Sequence, residues 1–425
     1  MPTSSFTHDQ LLDRLAEVSV RTGLNITPGQ QLIITAGLEA VPLIRRITAH
    51  AYKAGASLVT TLYQDDETTL ARFQHGHEDS FDTAAGWLAN GMAEAFGKGA
   101  ARMAITGGNP TLLKDQNPDH ISRVSRASST AYRPAMERIT NFDINWNIIA
   151  CATPAWAEQV FPHLPAEEAL TALWNGIFQA SRVDVADPVA AWADHNRTLH
   201  ARAAMLNDRR FDALHFTGPG TDLTVGLADG HLWAGGAEEA KNGIVCNPNI
   251  PTEEVFTTPH CARVEGTVSS TKPLFHQGSL IDGIRVRFEK GRIVEAHASK
   301  GEDVLKRILD SDEGARRIGE VALVPHSSPI SRSGILYQNT LFDENAACHI
   351  ALGQAYTKCM TNPEGQSEEE LIARGANHSI IHIDWMIGSD RINIDGLKDG
   401  QRTPLMRSGE WVCPPQGNSN RDHCS

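Results

Sequence analysis

Hydrophobic and polar positions in the N-terminal half of the chain alternate between a helical period and short apolar runs. Apolar residues recur at helical spacing from Leu11 to Val20, and a short buried strand is predicted at 31–35. An apolar-faced helix over 41–54 and a second strand over 57–63 follow. This strand, helix, strand order favours a right-handed crossover and a parallel sheet with helices on its faces. The same reasoning predicts a strand at 145–152 and helices at 80–97, 166–180 and 187–206.

Beyond residue 208 the pattern changes to short extended runs separated by Gly, Pro and Asp, as in 217–227 and 283–288. The predicted fold class is therefore α/β, with an N-terminal α/β domain built on a mainly parallel sheet and a C-terminal β-rich domain of mixed α+β structure. The expected limits are residues 1–207 for the first domain and 208–411 for the second, with a disordered tail at 412–425.

Two segments of the second half are predicted to carry its chemistry. The apolar stretch from Asn345 to Cys359 is predicted to form a helix, and Ser379 to Met386 a strand. On a helix, His349 and Tyr356 would share one face, because they are about two turns apart.

Composition excludes several classes of protein. The 425 residues are 41% hydrophobic and 21% charged, and they contain no apolar run near the about 18 to 20 residues that cross a bilayer. Lys and Arg number 38 against 51 Asp and Glu, and the resulting net charge of −13 would repel nucleic acid. Seven cysteines without a CxxC pair do not suit a thiolate zinc cluster. The N-terminal segment lacks the pattern of a signal or transit peptide, so the expected compartment is the cytoplasm.

The densest chemical signal is His382-Ile-Asp384. In a strand, residues i and i+2 point to the same face, so the imidazole and the carboxylate can reach one metal ion. A buried hydrogen-bonded His–Asp pair is the alternative interpretation of these two residues alone.

Further ionisable side chains favour the metal. Glu253, Glu254 and Glu320 lie near predicted strands, while Glu344 and His349 lie on the predicted helix. Two histidines and three or four carboxylates in the same half would supply the mixed nitrogen and oxygen ligands of a two-metal site for Zn²⁺, Co²⁺ or Mn²⁺.

Five segments give the chain a specific resemblance, which extends from about residue 11 to 411. They read PNIPTEEVFTTPH, EGTVSSTKPL, GARRIGEVALV, SPISRSGILYQNTLFDENAACHIALGQAY and NHSIIHIDWMIGS. In this order and spacing they resemble the thermophilic metallo-aminopeptidase family, the leucyl aminopeptidase-like enzymes of the aminopeptidase T type. The resemblance implies an N-terminal α/β domain, a C-terminal catalytic domain, a homodimer, and a substrate that is a peptide with a free N-terminus.

Carried over to this sequence, the family pattern implies the following metal ligands, with Glu344 either a ligand or a neighbouring acid: Glu254, Glu320, Glu344, His349, His382 and Asp384. Glu254 is chosen over Glu253 because its spacing to Glu320 fits the family better. Tyr356 matches the catalytic tyrosine, which would stabilise the oxyanion while Glu344 or Glu253 shuttles a proton. Two divalent ions, bridged by Asp384 or Glu320, would activate water for hydrolysis of the N-terminal peptide bond.

Two other functions are compatible with part of this set. His349, His382 and Asp384 alone could form the triad of a mononuclear iron dioxygenase that cleaves aromatic rings, an enzyme class with a similar catalytic domain. Glu254 and Glu320 argue against it, because a single Fe²⁺ does not need them. A non-catalytic dimer that keeps the metal for folding is the third interpretation, and the presence of Tyr356 argues against that.

Overall fold

The computed structural model describes residues 6–276 and 278–412, so the prediction for the tail concerns residues of which all but 412 lie outside the described part. The chain divides into two compact units. The first ends at Ala193 and also includes Ala237–Pro251, and the second comprises Asp194–Gly236 and the chain from Thr252 onward.

The first unit is built on a parallel sheet, as predicted. Its four strands are β1 Gln31–Gly37, β2 Leu58–Gln64, β3 Ala101–Thr106 and β4 Trp146–Ala150, and they pair in the order β2-β1-β3-β4. The helices are α1 His8–Val18, α2 Val41–Lys53, α3 Asp66–His75, α4 Gly86–Gly97, α5 Pro118–Thr140, α6 Pro154–Val160 and α7 Ala166–Ala180, with α8 Pro188–Arg209 running on into the second unit. Parallel neighbouring strands must be joined by long crossover connections, and here helices form these connections and pack on the sheet.

The apolar pattern alone does not predict β3 and α5. β3 includes a charged residue, Arg102, and α5 is rich in serine and contains Pro134. The start of α5 nevertheless has a local signal, because Asn117 accepts the backbone N–H of Asp119 and Pro118 occupies the first helical turn.

The second unit is rich in antiparallel strands. Its strands are β5 Ala213–Gly218, β6 Thr221–Leu227, β9 Val255–Thr257, β10 Pro259–Ser269, β11 Leu274–His276, β12 Ser279–Ile281, β13 Arg285–Glu289, β14 Arg292–His297, β15 Ile318–Leu323, β16 His349–Gly353, β17 His382–Met386, β18 Asn393–Lys398, β19 Gln401–Arg407 and β20 Glu410–Trp411. The pair β7 Glu238–Glu239 and β8 Val245–Cys246 belongs to the first unit. Four helices complete the fold: α9 Glu302–Leu309, α10 Pro329–Ser333, α11 Thr340–Asp343 and α12 Glu368–Ala373.

Two sheets dominate this unit. The larger has eight strands in the order β14-β13-β10-β6-β5-β18-β19-β20, and the smaller has four in the order β17-β16-β15-β9. The main apolar core of this unit packs between these elements and includes Phe216, Val264, Ile350 and Trp385. Within the described residues, no helix combines the length and the apolarity needed to cross a bilayer.

The helix predicted from Asn345 to Cys359 is wrong. A single 3-10 turn at Glu344–Ala346 leads into strand β16, and a second 3-10 turn follows at Thr357–Cys359. Every residue of β16 is buried, because the strand lies between β15 and β17 in the sheet and is covered on both faces. A continuous apolar run of this kind has no period by which to distinguish a buried strand from a helix.

Candidate metal centre

The smaller sheet of the second unit brings the predicted ligands together. Glu320 lies on β15, His349 on β16, and His382 and Asp384 on β17, while Glu254 directly precedes β9. Hydrogen-bonded strands thus position donors that are far apart in sequence, and the spacing between the strands sets the spacing between the donors.

The register of the sheet leaves room for ions. Ala351 of β16 pairs with Glu320 on one side and with Asp384 on the other, so the three side chains form a row on one face. His382 pairs with Gly353, one row further along. Small residues at the centre of the sheet therefore leave space between the acidic and imidazole side chains that flank them.

The donor atoms form two groups that share one carboxylate. Glu254, Glu320 and His349 make the first group, and Glu320, His382 and Asp384 make the second, each with its ligand atoms within 4.8 Å of one another. In the first, His349 Nε2 is 3.1 Å from Glu254 Oε2 and 3.7 Å from Glu320 Oε1. In the second, His382 Nε2 is 3.6 Å from Glu320 Oε2 and 3.5 Å from Asp384 Oδ1. One oxygen of Glu320 therefore faces each group.

Both imidazoles are oriented by backbone carbonyl groups. His349 Nδ1 is 3.2 Å from the carbonyl oxygen of Ala347, and His382 Nδ1 is 2.8 Å from that of Gln354. A carbonyl accepts only from a protonated nitrogen, so Nδ1 carries hydrogen and Nε2 is directed at the carboxylates. This arrangement is typical of histidines that ligate metal through Nε2. Ala347 and Gln354 are functional positions that sequence reasoning did not identify, because their contribution is a carbonyl group that every residue has.

Burial and mutual charge displace the pKa values of the donors. Desolvation, reinforced by Glu254 and Asp384, raises the pKa of Glu320. Burial alone would lower the pKa of His382, but Asp384 and Glu320 outweigh it and raise that pKa to about 9. Burial alone would raise the pKa of Asp384, but His382 and His349 together with hydrogen bonding outweigh it and lower that pKa.

Glu344 lies near these donors but outside both groups. Its pKa is raised well above the usual value by burial and by the charge of Glu254, which places the two carboxylates in one electrostatic environment. Its Oε1 is 3.4 Å from Nδ2 of Asn345. Glu344 therefore interacts electrostatically with the donors, although it is not in either group of converging ligand atoms.

Tyr356 follows β16 at the edge of the same cluster. Its ring centroid is 4.6 Å from that of His382, and the edge of Phe256 supports it at 6.3 Å. Although 42% of the residue is exposed, desolvation and the charges of Glu320 and Asp384 raise the pKa of its hydroxyl well above the usual value. The hydroxyl group therefore stays protonated and available as a hydrogen-bond donor.

Glu253 takes a different position from its neighbour Glu254. Its backbone N–H donates to Asn345 Oδ1 at 2.7 Å, and its carboxylate Oε2 is 3.7 Å from His195 Nε2. It is absent from both donor groups. Asn345, which is fully buried, fixes the backbone next to Glu254 and is a third position that sequence reasoning did not identify.

The residues present fit divalent cations. Glu254 Oε2 is buried and lies 3.1 Å from His349 Nε2, so two buried atoms that can both bind metal face each other, and a cation shared by them would satisfy both. The donors are imidazole nitrogens and carboxylate oxygens without thiolate, a set that suits Zn²⁺, Co²⁺ or Mn²⁺. Such a centre can polarise a carbonyl group and activate water.

We expect binding of Zn²⁺ at pH 7 to release at least about one proton per chain. Without metal, His382 has a pKa of about 9 and carries a proton at pH 7, and this proton must leave before Nε2 can bind a cation. The apparent affinity should therefore rise with pH between 7 and 9. Titration calorimetry in buffers of different ionisation enthalpy measures the release. An affinity that is independent of pH between 7 and 9 would contradict this assignment.

The chain is similar to known proteins over most of its length. The model of a family described as thermophilic metalloprotease (M29) matches residues 8–411. Aminopeptidase T of Thermus thermophilus is 54% identical over 403 residues, which cover 94% of this chain and 98% of that protein. Aminopeptidase 2 of Geobacillus stearothermophilus is 47% identical over 405 residues, with coverage of 94% and 97%.

A solved structure agrees in fold as well. Wild-type AmpT from Thermus thermophilus superposes with a TM-score of 0.91 at 52% identity, covering 96% of this chain and 100% of that one. The similarity thus extends over both units and includes the sheet that carries the donors.

Proposed function

The chain belongs to the thermophilic metalloprotease (M29) family, and from this premise we propose how its second unit performs aminopeptidase chemistry. The protein is a metal-dependent aminopeptidase, a hydrolase that acts on peptides.

The shared carboxylate of Glu320 is the observation that carries a two-ion centre. We assign Glu254 and His349 to one ion, His382 and Asp384 to the other, and Glu320 to both, since its two oxygens face different groups. Zn²⁺, Co²⁺ and Mn²⁺ all suit these ligands. When bound, the pair of ions supplies polarisation of the scissile carbonyl and a nucleophilic water at neutral pH.

Tyr356 and Glu344 supply the remaining steps. The hydroxyl of Tyr356 donates a hydrogen bond to the oxyanion that develops on the scissile carbonyl, a bond that is stronger in the transition state than in the bound substrate. Glu344 accepts a proton from the attacking water on a carboxylate oxygen and transfers it to the departing amide nitrogen. Its raised pKa, which results from burial and from Glu254, suits a group that must hold that proton briefly.

The charge of the site accounts for release of residues from the N-terminus. A cluster of buried carboxylates attracts the free α-ammonium group of a peptide, and a peptide blocked at that amine lacks this interaction. We also propose a homodimer, which the family resemblance implies, and a cytoplasmic location. Sedimentation of the purified chain tests the dimer.

Chelation is expected to abolish hydrolysis of leucine amide, because the carboxylates and imidazoles cannot polarise the carbonyl by themselves. Adding back Zn²⁺, Co²⁺ or Mn²⁺ should restore it, with metal content near about two ions per chain at full activity. Elemental analysis alongside the amide assay measures both quantities. Magnesium serves as the matched control, since it prefers all-oxygen ligands. Recovery only with Fe²⁺, accompanied by oxygen consumption, would point to the dioxygenase chemistry instead.

A further inference from the structure

The parallel sheet of the first unit borders a cavity that the chemistry of the metal centre does not use. Its volume is about 720 Å³, within the range of about 300 to 1,000 Å³ typical of small-molecule sites. It lies over the sheet face that α4 and α5 cover and reaches the carboxyl ends of β1, β2 and β3. β1 pairs with β2 on one side and with β3 on the other, so the strand order reverses here. Ligands of open α/β sheets bind at such a point.

Three charged side chains line this cavity, and they lie at its two ends. Arg102 is on β3 deep in the sheet, whereas Glu39 follows the carboxyl end of β1 and Asp66 follows that of β2. Arg102 Nε is buried, and it has no hydrogen-bond partner among residues 6–276 and 278–412. Burial lowers the pKa of Arg102, and a hydrogen bond with the side chain of Tyr132 only partly opposes this effect.

A buried guanidinium group that lacks a carboxylate partner and has an unsatisfied Nε is costly, and a carboxylate supplied by a ligand could accept two parallel hydrogen bonds from it. The opposite end of the cavity is acidic and favours a positively charged group. Glu39 and Asp66 repel a ligand with several negative charges and attract an ammonium group. The lining therefore selects a zwitterion over a phosphate or a nucleotide.

The register of the sheet gives the distance between the two ends. Arg102 pairs with Ile33, which lies four residues before Gly37 at the end of β1. At about 3.3 Å per residue this corresponds to roughly 13 Å along the sheet, part of which the Arg102 side chain occupies. An extended dipeptide spans about 7 Å, a better match than a single amino acid.

We propose that this cavity binds a short peptide of about two residues, with its carboxylate on Arg102 and its ammonium group between Glu39 and Asp66. Aliphatic side chains would pack against Leu88 and Met92 of α4. The site lies within the first unit, and it does not depend on the assignment of the metal ligands.

Titration calorimetry on the full-length metal-loaded protein tests the proposal. The probe is a leucyl-alanine isostere in which a trans carbon–carbon double bond replaces the amide, so that it keeps both charged ends and cannot be hydrolysed. We expect Arg102→Met to weaken one class of binding site by about 10- to 100-fold, the range for loss of a charge-assisted hydrogen bond. Arg133→Met is the matched control, because it removes the same charge from an exposed position of α5 outside the cavity.

The two ends of the probe are tested separately. The N-acetylated and C-amidated isosteres should each bind the first unit at least about tenfold more weakly than the zwitterion. Glu39→Gln, at an exposed position where folding is not at risk, should weaken the zwitterion but leave the N-acetylated probe unchanged. Identical isotherms for Arg102→Met and Arg133→Met would overturn the proposal. So would inorganic phosphate binding at Arg102 more tightly than the peptide isostere.

Discussion

Asp384→Asn is expected to reduce metal affinity by at least about 100-fold and hydrolysis in proportion. The substitution keeps the shape of the side chain but removes the negative charge that faces His382 and the carboxylate of Glu320, which belongs to both groups. The cation then loses a negatively charged ligand, so the remaining side chains of the site attract it less strongly. Equilibrium dialysis and kcat/KM for leucine amide, measured over a series of metal concentrations, report the two effects.

Asp390→Asn provides the matched control for this variant. Asp390 is exposed and lies in the loop after β17, so the same chemical change there should leave metal content and turnover as they were. High metal concentration should restore part of the activity of Asp384→Asn, because mass action compensates for weaker binding. If Asp384→Asn kept full metal content and full activity, the pair with His382 would be a structural ion pair.

Tyr356→Phe is expected to lower kcat by roughly 10²- to 10³-fold while KM changes little. The hydroxyl group is lost and the ring remains, so the contacts with His382 and Phe256 persist. Because the bond to the oxyanion forms fully only in the transition state, its loss affects turnover more than substrate binding. Metal content should be normal, since Tyr356 belongs to neither donor group.

Steady-state kinetics, elemental analysis and thermal melting on this variant separate catalysis from stability. Tyr52→Phe removes the hydroxyl group of a tyrosine in the first unit that is exposed to a similar extent, and it should leave kcat unchanged. A purely structural role for Tyr356 would appear as a lowered melting temperature with normal kcat, and that result would remove the residue from the mechanism.

Much of the fold can be predicted where the period of the sequence is unambiguous. The parallel sheet of the first unit follows from short apolar runs separated by amphipathic helices, and β1 and α2 begin at the predicted residues. The buried strand β16 could not be predicted, because Ile350, Ala351 and Leu352 are apolar without interruption. Only the pairing with β15 and β17 decides its conformation, and that pairing depends on residues distant in sequence.

The site, like the fold, can be predicted only where local sequence pattern determines it. The alternation of His382 and Asp384 in a strand predicts that both face one point, because the side chains of a strand repeat every two residues. Local pattern does not indicate that Glu320 presents one oxygen to each group, which results from its position on the strand beside β16. The family resemblance implied the set of metal ligands, and the assignment of each ligand stays a prediction until the variants are measured.

Because the donors come from three strands of one sheet and from the residue before a fourth, occupancy of the centre has a consequence for the lifetime of the polypeptide. A cation that binds the folded chain and not the unfolded one adds stability in proportion to its free concentration, about 2.7 kcal/mol at 100 times its dissociation constant. The metal-poor chain opens more often and is the form that proteases degrade. Scarcity of the cation should therefore reduce the amount of the enzyme as well as the activity of each molecule, so that peptide turnover falls more steeply than metal occupancy.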